Sequence, residues 1–64
     1  MRLEDNMVAI KFSTTNDAFS VPGPEIARIL RRLAEIAEQG ITQHRIMDAN
    51  GNTVGTFNYK QEEV

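Results

Sequence analysis

Residues 7–12 alternate between two sets of side chains. One side of the extended segment carries Val8, Ile10 and Phe12. The other side carries Met7, Ala9 and Lys11. This period of two predicts a β-strand with one buried face. The polar run at 13–17, Ser-Thr-Thr-Asn-Asp, follows at once, and its short side chains hydrogen-bond to nearby backbone, which predicts a turn.

A helical period replaces the alternation in the middle of the chain. Apolar residues recur there at three- and four-residue spacing: Ile26, Ile29, Leu30, Leu33, Ile36 and Ala37. The stripe predicts an amphipathic helix that opens at Gly23-Pro24-Glu25, with Pro24 at the first helical position, and closes at Gly40. We expect two apolar residues of the preceding connection, Phe19 and Val21, to pack beneath the end of this helix.

A hairpin is predicted after the helix. The chain resumes as a strand through Met47, turns at Asn50-Gly51, and returns as a strand from Val54 to Tyr59. Asn50 and Gly51 suit a type I′ turn, in which both central residues have positive φ. Val54 falls on the opposite side from Phe57 and Tyr59, and a β-bulge at Gly55 would resolve that conflict.

Together these elements predict an α+β fold in which residues 1–64 form a single β-α-β-β domain. One helix covers one face of a three-stranded sheet, and the ends 1–6 and 61–64 are expected to be frayed. The short hairpin makes the last two strands antiparallel, but both sheet orders, 1-3-2 and 1-2-3, satisfy the pattern. Either order leaves two edge strands open to pairing with another chain.

Composition narrows the class of function. The 64 residues include no cysteine, so disulfides and thiolate metal sites are excluded and apolar packing must supply the stability. Seven Lys and Arg against nine Asp and Glu give a net charge of -2, which argues against a general nucleic-acid binder. The polar first residues and the absence of a long apolar run predict a cytoplasmic protein with no signal peptide or membrane span.

Candidate chemistry is sparse. The segment Asp48-Ala49-Asn50-Gly51-Asn52 imitates the start of a calcium loop, but Thr53 and Tyr59 stand where such loops need their glycine and bidentate glutamate. His44 is the only histidine, with no second ligand or nucleophile at recognisable spacing, and is interpreted as an exposed strand residue. We therefore expect no metal, no cofactor and no catalytic residues, that is, a protein that is not an enzyme.

The arginines of the helix admit two interpretations. Arg28, Arg31 and Arg32, with Arg45 nearby, could form a patch for a nucleic acid or a phosphate ligand. Glu35 lies four residues after Arg31 and three after Arg32, so a solvated helix face with compensating ion pairs explains the same residues.

Three segments carry a resemblance to a known group of proteins. They are Thr14-Thr15-Asn16-Asp17-Ala18-Phe19, Glu25-Ile26-Ala27-Arg28-Ile29-Leu30-Arg31-Arg32-Leu33-Ala34 and Asp48-Ala49-Asn50-Gly51-Asn52-Thr53-Val54-Gly55. The chain resembles a family of small uncharacterised accessory proteins of bacteriophages and prophages, which share a T-x-N-x-A-F element, an E-[IV]-A-R-I-L-R helix and a D-x-N-G-N-x-V-G hairpin. Here Thr15 replaces the usual acidic residue and Met47 a frequently basic one. The resemblance implies a non-enzymatic protein acting in the host cytoplasm.

The predicted function is binding of a host or phage protein, for example as an inhibitor of a host defence system such as an anti-CRISPR. Candidate partner-binding residues are Arg28, Arg31, Arg32, Glu35, Arg45 and Met47. The alternative is a small nucleic-acid or phosphate-binding module that uses the helix arginines. We also expect a homodimer, formed through an edge strand or through the sheet face left bare by the single helix, where the alternation places Met7, Ala9 and Met47.

Overall fold

The computed structural model describes residues 7–60 and has the predicted β-α-β-β order. The predicted frayed ends, 1–6 and 61–64, lie outside the described residues. The elements are strand β1 (Val8–Phe12), a short 3₁₀ turn (Asp17–Phe19), helix α1 (Pro22–Glu38), strand β2 (Gln43–Met47) and strand β3 (Thr53–Tyr59). The α+β fold class predicted from the sequence is therefore confirmed.

The sheet has the order β1-β3-β2, the first of the two orders that the sequence allowed. β3 is the central strand and pairs antiparallel with both neighbours. Ile10 of β1 and His44 of β2 both lie opposite Phe57, so these three side chains share one face of the sheet. β1 and β2 are the two edges.

Helix α1 begins two residues earlier than the sequence predicted, at Pro22 instead of Pro24. Both prolines lie in the first turn, where a missing N–H leaves no helical hydrogen bond unmade. The predicted closing glycine, Gly40, lies two residues after the last helical residue, Glu38, and has a φ of +81°. There the Gly40 N–H donates to Ala37 O (3.0 Å) and the Ile41 N–H to Ile36 O (3.3 Å), which is a Schellman motif.

The β2–β3 turn is not the predicted type I′ turn. Gly51 has a φ of +87°, but no residue other than glycine has a positive φ in the described chain, so Asn50 does not. The Gly51 N–H donates to Asp48 O (3.0 Å) and the Asp48 N–H to Asn52 O (2.9 Å). This is the three-residue hairpin loop in which a turn is followed by one left-handed residue. Only the glycine of the Asn50-Gly51 pair thus requires the left-handed region.

The predicted irregularity of β3 is present, one position from where it was expected. Ile46 pairs with Gly55 and Met47 with Thr53, so Val54 is the extra residue of a bulge. Val54 packs against the core on the same side as Phe57. Gly55 serves a different purpose, because a Cβ there would overlap Lys11 O and the Cα of Phe12 in β1.

The core is small and lies toward β2. Its buried apolar residues are Phe19, Ile29, Leu33, Ile36, Ile46 and Phe57. Phe19 packs as predicted, and its ring lies 6.1 Å from that of Phe12. Other apolar residues predicted to be buried remain exposed: Val8, Ile10, Val21, Leu30 and Ala37. The helix covers the β2 side of the sheet and leaves the core-side residues at the start of β1 uncovered.

Candidate functional site

Two buried carboxylates occupy the end of the sheet where the β2–β3 turn meets the start of α1. Asp48 is only 4 % exposed. Its Oδ1 accepts the backbone N–H groups of Asn50 and Asn52, both at 2.9 Å. Its Oδ2 accepts the side-chain amides of Asn16 (3.0 Å) and Asn52 (3.3 Å). Burial alone would raise the pKa of Asp48, but these hydrogen bonds together lower it.

Glu25 is the second buried carboxylate, and it joins α1 to the turn. The Arg28 guanidinium donates to both of its oxygens, from Nε at 2.9 Å and from Nη2 at 2.7 Å. The Ala49 N–H donates to Oε2 at 2.8 Å. The hydrogen bonds from Arg28 are the main cause of the lowered pKa of Glu25, and the same pairing raises the pKa of Arg28.

These contacts join polar residues from three separate segments of the chain. Asn16, Glu25, Arg28, Asp48 and Asn52 are all members of this one hydrogen-bonded cluster. Each buried oxygen has a partner, as no described buried polar side-chain atom lacks one. The cluster fixes the turn to the helix, and each carboxylate oxygen in it accepts at least one hydrogen bond, as expected of a structural network.

Beside the cluster, a cleft of about 280 Å³ lies between α1 and the edge strand β2. We call it the β2 cleft. Its apolar residues are Ile29, Leu33, Ile36, Ile46 and Met47. Its polar residues are Arg28, Arg32, His44, Arg45 and Asp48. An apolar floor with a mostly basic rim suits a ligand that presents acidic and apolar groups together.

The structure brings together four of the six candidate partner-binding residues. Arg28, Arg32, Arg45 and Met47 all line the β2 cleft. Arg31 and Glu35 are exposed on α1 and do not line it. The sequence reasoning missed two contributions: His44 is half-buried against the cleft, not an exposed strand residue, and the buried stripe of α1 forms the floor. The available signal for His44 was its position two residues before Ile46, because alternation places both side chains on the same face of the strand.

One helix side chain and one strand side chain contact the free edge of β2. The Tyr59 N–H donates to Thr42 O, so by alternation the backbone groups of Arg45 and Met47 point away from β3. Arg28 Nη2 donates to Met47 O at 3.2 Å. His44 Nδ1 lies within hydrogen-bonding distance of Arg45 O, where a protonated Nδ1 donates. The outward carbonyl groups of Arg45 and Met47 therefore already have hydrogen-bond partners within the domain.

The sheet face turned away from α1 is polar. Met7, Ala9 and Met47 are exposed, as predicted. The rest of the face is also exposed and consists of Lys11, Gln43, Arg45, Thr56 and Asn58. Because β2 is an edge strand, Arg45 and Met47 of this face also border the β2 cleft. Scattered methionines among these side chains are ordinary for a solvated surface, so this face gives no support to the expected dimer.

Two further findings concern residues 7–60. No helix there is long and apolar enough to cross a membrane. No group of three or more histidine, aspartate or glutamate side chains in this part of the chain is arranged to hold a metal ion.

The fold and the cleft define a class: a small α+β protein with an antiparallel 1-3-2 sheet, one covering helix and a basic-rimmed cleft at one edge. Comparisons with known protein families, with curated proteins and with solved structures each gave no match to this chain.

Proposed function

We propose that this chain is a non-enzymatic accessory protein that binds a protein partner in the β2 cleft. The observation that carries the proposal is the convergence of Arg28, Arg32 and Arg45 around an apolar floor. A partner segment with acidic side chains beside apolar ones matches both the charge and the hydrophobicity of this surface.

The three arginines differ in their availability to a partner. Arg28 is held by Glu25 and by Met47 O, so it shapes the cleft more than it offers charge. Arg32 pairs with Glu35 at 3.0 Å, but both side chains are mostly exposed, and such a pair exchanges readily for another carboxylate. Arg45 makes no ion pair with the described residues. Arg32 and Arg45 are therefore the cations on which partner binding depends.

The finer assignment rests on the resemblance to phage and prophage proteins. A small accessory protein of that kind acts in the cytoplasm of the host cell, where its partner would be a host or phage protein. Inhibition of a host defence system, for example as an anti-CRISPR, requires only a stable contact that blocks a surface of the effector. A rigid cleft on a small domain is suited to that task.

The second candidate is a nucleic-acid or phosphate-binding module that uses the same arginines. Two of its cations, Arg28 and Arg32, are already paired with glutamates, and the net charge of the chain is -2. If this alternative holds, labelled DNA, RNA or nucleotides should bind at low ionic strength, with an affinity that falls steeply as salt is added. Absence of binding at low salt would remove it.

The proposal is tested with a charge-reversed cleft and a neighbouring control. The tagged protein is incubated with host lysate and with purified defence effectors, and retained proteins are identified by mass spectrometry. A specific partner should be retained by the wild type and lost by the double variant Arg32→Glu/Arg45→Glu. Arg31→Glu changes the same charge one residue outside the cleft and should keep the partner. Equal retention by both variants would refute binding in the β2 cleft.

A further inference from the structure

The outer edge of β1 presents its backbone hydrogen-bonding groups without cover from the rest of the described chain. The Ser13 N–H donates to Val54 O (2.9 Å), and bonded pairs alternate along an antiparallel ladder. Lys11 and Ala9 therefore also direct their backbone groups toward β3. Those of Val8, Ile10 and Phe12 point outward, in a row that another strand can pair with.

The same edge is apolar on the side that carries the core. Val8 is 59 % exposed and Ile10 is 44 % exposed. Leu30, 45 % exposed, lies on the flank of α1 opposite Arg28 and Arg32, and hence on the β1 side of the helix. We call Val8 and Ile10 the β1 apolar patch. It extends the core face of the sheet beyond the cover that one helix provides.

From these two features we propose that two copies of the chain pair antiparallel through β1, with Ile10 opposite Ile10 of the second copy. The product is a six-stranded sheet with both helices on one face, because residues opposite each other in a ladder share a face. Val8 then lies opposite Phe12 of the second copy, and the two apolar patches meet between the helices.

When β1 pairs with β1 of a second copy, the two strands have equal length and no like charges lie opposite each other. Centring on Ile10 pairs all five residues of β1, from Val8 to Phe12. It also sets Lys11, the only charged residue of the strand, opposite Ala9 of the second copy. If the centre of the pairing moved from Ile10 to Lys11, the two Lys11 side chains would lie opposite each other. If it moved to Ala9, Phe12 would lie outside the five paired residues.

The size of the contact sets the strength expected of the dimer. A five-residue strand pair with three apolar side chains from each copy lies at the small end of specific interfaces, below about 1,200 Å² in total. The association is therefore expected to be reversible and dependent on concentration. It is independent of the proposed partner in the β2 cleft, which lies at the other edge of the sheet.

The first test is analytical ultracentrifugation of the full chain from about 10 µM to about 1 mM. The average mass should rise from the 7.2 kDa of the monomer toward twice that value. Ile10→Lys should weaken dimerisation at least about tenfold, because it places two lysines opposite each other at the centre of the interface. Met47→Lys makes the same change at an equally exposed position of β2 and should leave the dimer intact. Circular dichroism checks that both variants are folded.

The second test fixes the register, since the chain contains no cysteine that could interfere. Under mild oxidation Ile10→Cys should form a covalent dimer, because the two equivalent positions face each other within disulfide reach. Ala9→Cys should not, since its own equivalent lies diagonally across the ladder. A monomer at every concentration, or preferential crosslinking through position 9, would overturn the proposal.

Discussion

The two edges of this sheet have the same length but opposite surroundings. β2 lies under the helix, its Ile46 is 2 % exposed, and helix and strand side chains occupy its outward carbonyls. β1 has no such cover, and its Ile10, on the same face, is 44 % exposed. One helix is too narrow to cover three strands, so a domain of this size protects one edge and leaves the other exposed. This difference in cover is the basis for proposing partner binding at the cleft beside β2 and self-pairing at β1.

The largest expected effect compares equivalent truncations at the two edges. Ile46→Ala should cost about 2–5 kcal/mol of unfolding free energy, because it leaves a cavity in the core. Ile10→Ala should cost about 1 kcal/mol in dilute solution, since half of that side chain already contacts water. Urea unfolding followed by circular dichroism at low micromolar concentration measures both. Similar losses would contradict the difference in cover between the edges.

A smaller effect is expected at the contact between β1 and the centre of the sheet. Gly55→Ala should cost about 1–3 kcal/mol, because the new methyl group overlaps the backbone of β1, which must shift away from β3 to admit it. Gly23→Ala is the control, with nothing within 4 Å of the added group, and should change stability by less than about 0.5 kcal/mol. Hydrogen exchange should show that Gly55→Ala releases the amides of β1 before those of β2. Simultaneous release of both strands would show that the edges unfold together.

The mildest perturbation is acid, which acts on the β2 side through Glu25 and Asp48. Folding lowers the pKa of both carboxyls, so their contribution to stability is complete above their unfolded values near 4 and is lost as the pH falls through the folded values. Urea midpoints should therefore decline below about pH 4. Glu25→Gln should be less stable at pH 7 and lose less on acidification, whereas Glu38→Gln, at an exposed helix position, should keep the wild-type pH dependence.

Local sequence patterns predicted the three strands and the helix, but not the first residue of the helix or the type of the β2–β3 turn. The alternation before residue 13, the helical stripe and the hairpin glycine identified all three strands and the helix. The helix start was two residues off because Pro22 and Pro24 are both compatible with a first turn. The turn type was wrong because Asn50 can adopt positive φ but is held elsewhere by the hydrogen bonds of Asp48. Such competition between a side chain and the local backbone is not visible in a pattern.

The sequence by itself determined the order of the elements, the face of each that is apolar, and the existence of two free edges, because these follow from periodicity and chain connectivity. Only the tertiary structure decided which edge the helix covers. The contacts that hold the helix over β2 are distant in sequence: Ile29, Leu33 and Ile36 pack in one core with Ile46, and Glu25 and Arg28 bind the turn at Ala49 and Met47. This placement leaves Val8 and Ile10, apolar in pattern and expected inside, at the surface, where a second copy of the chain can cover them.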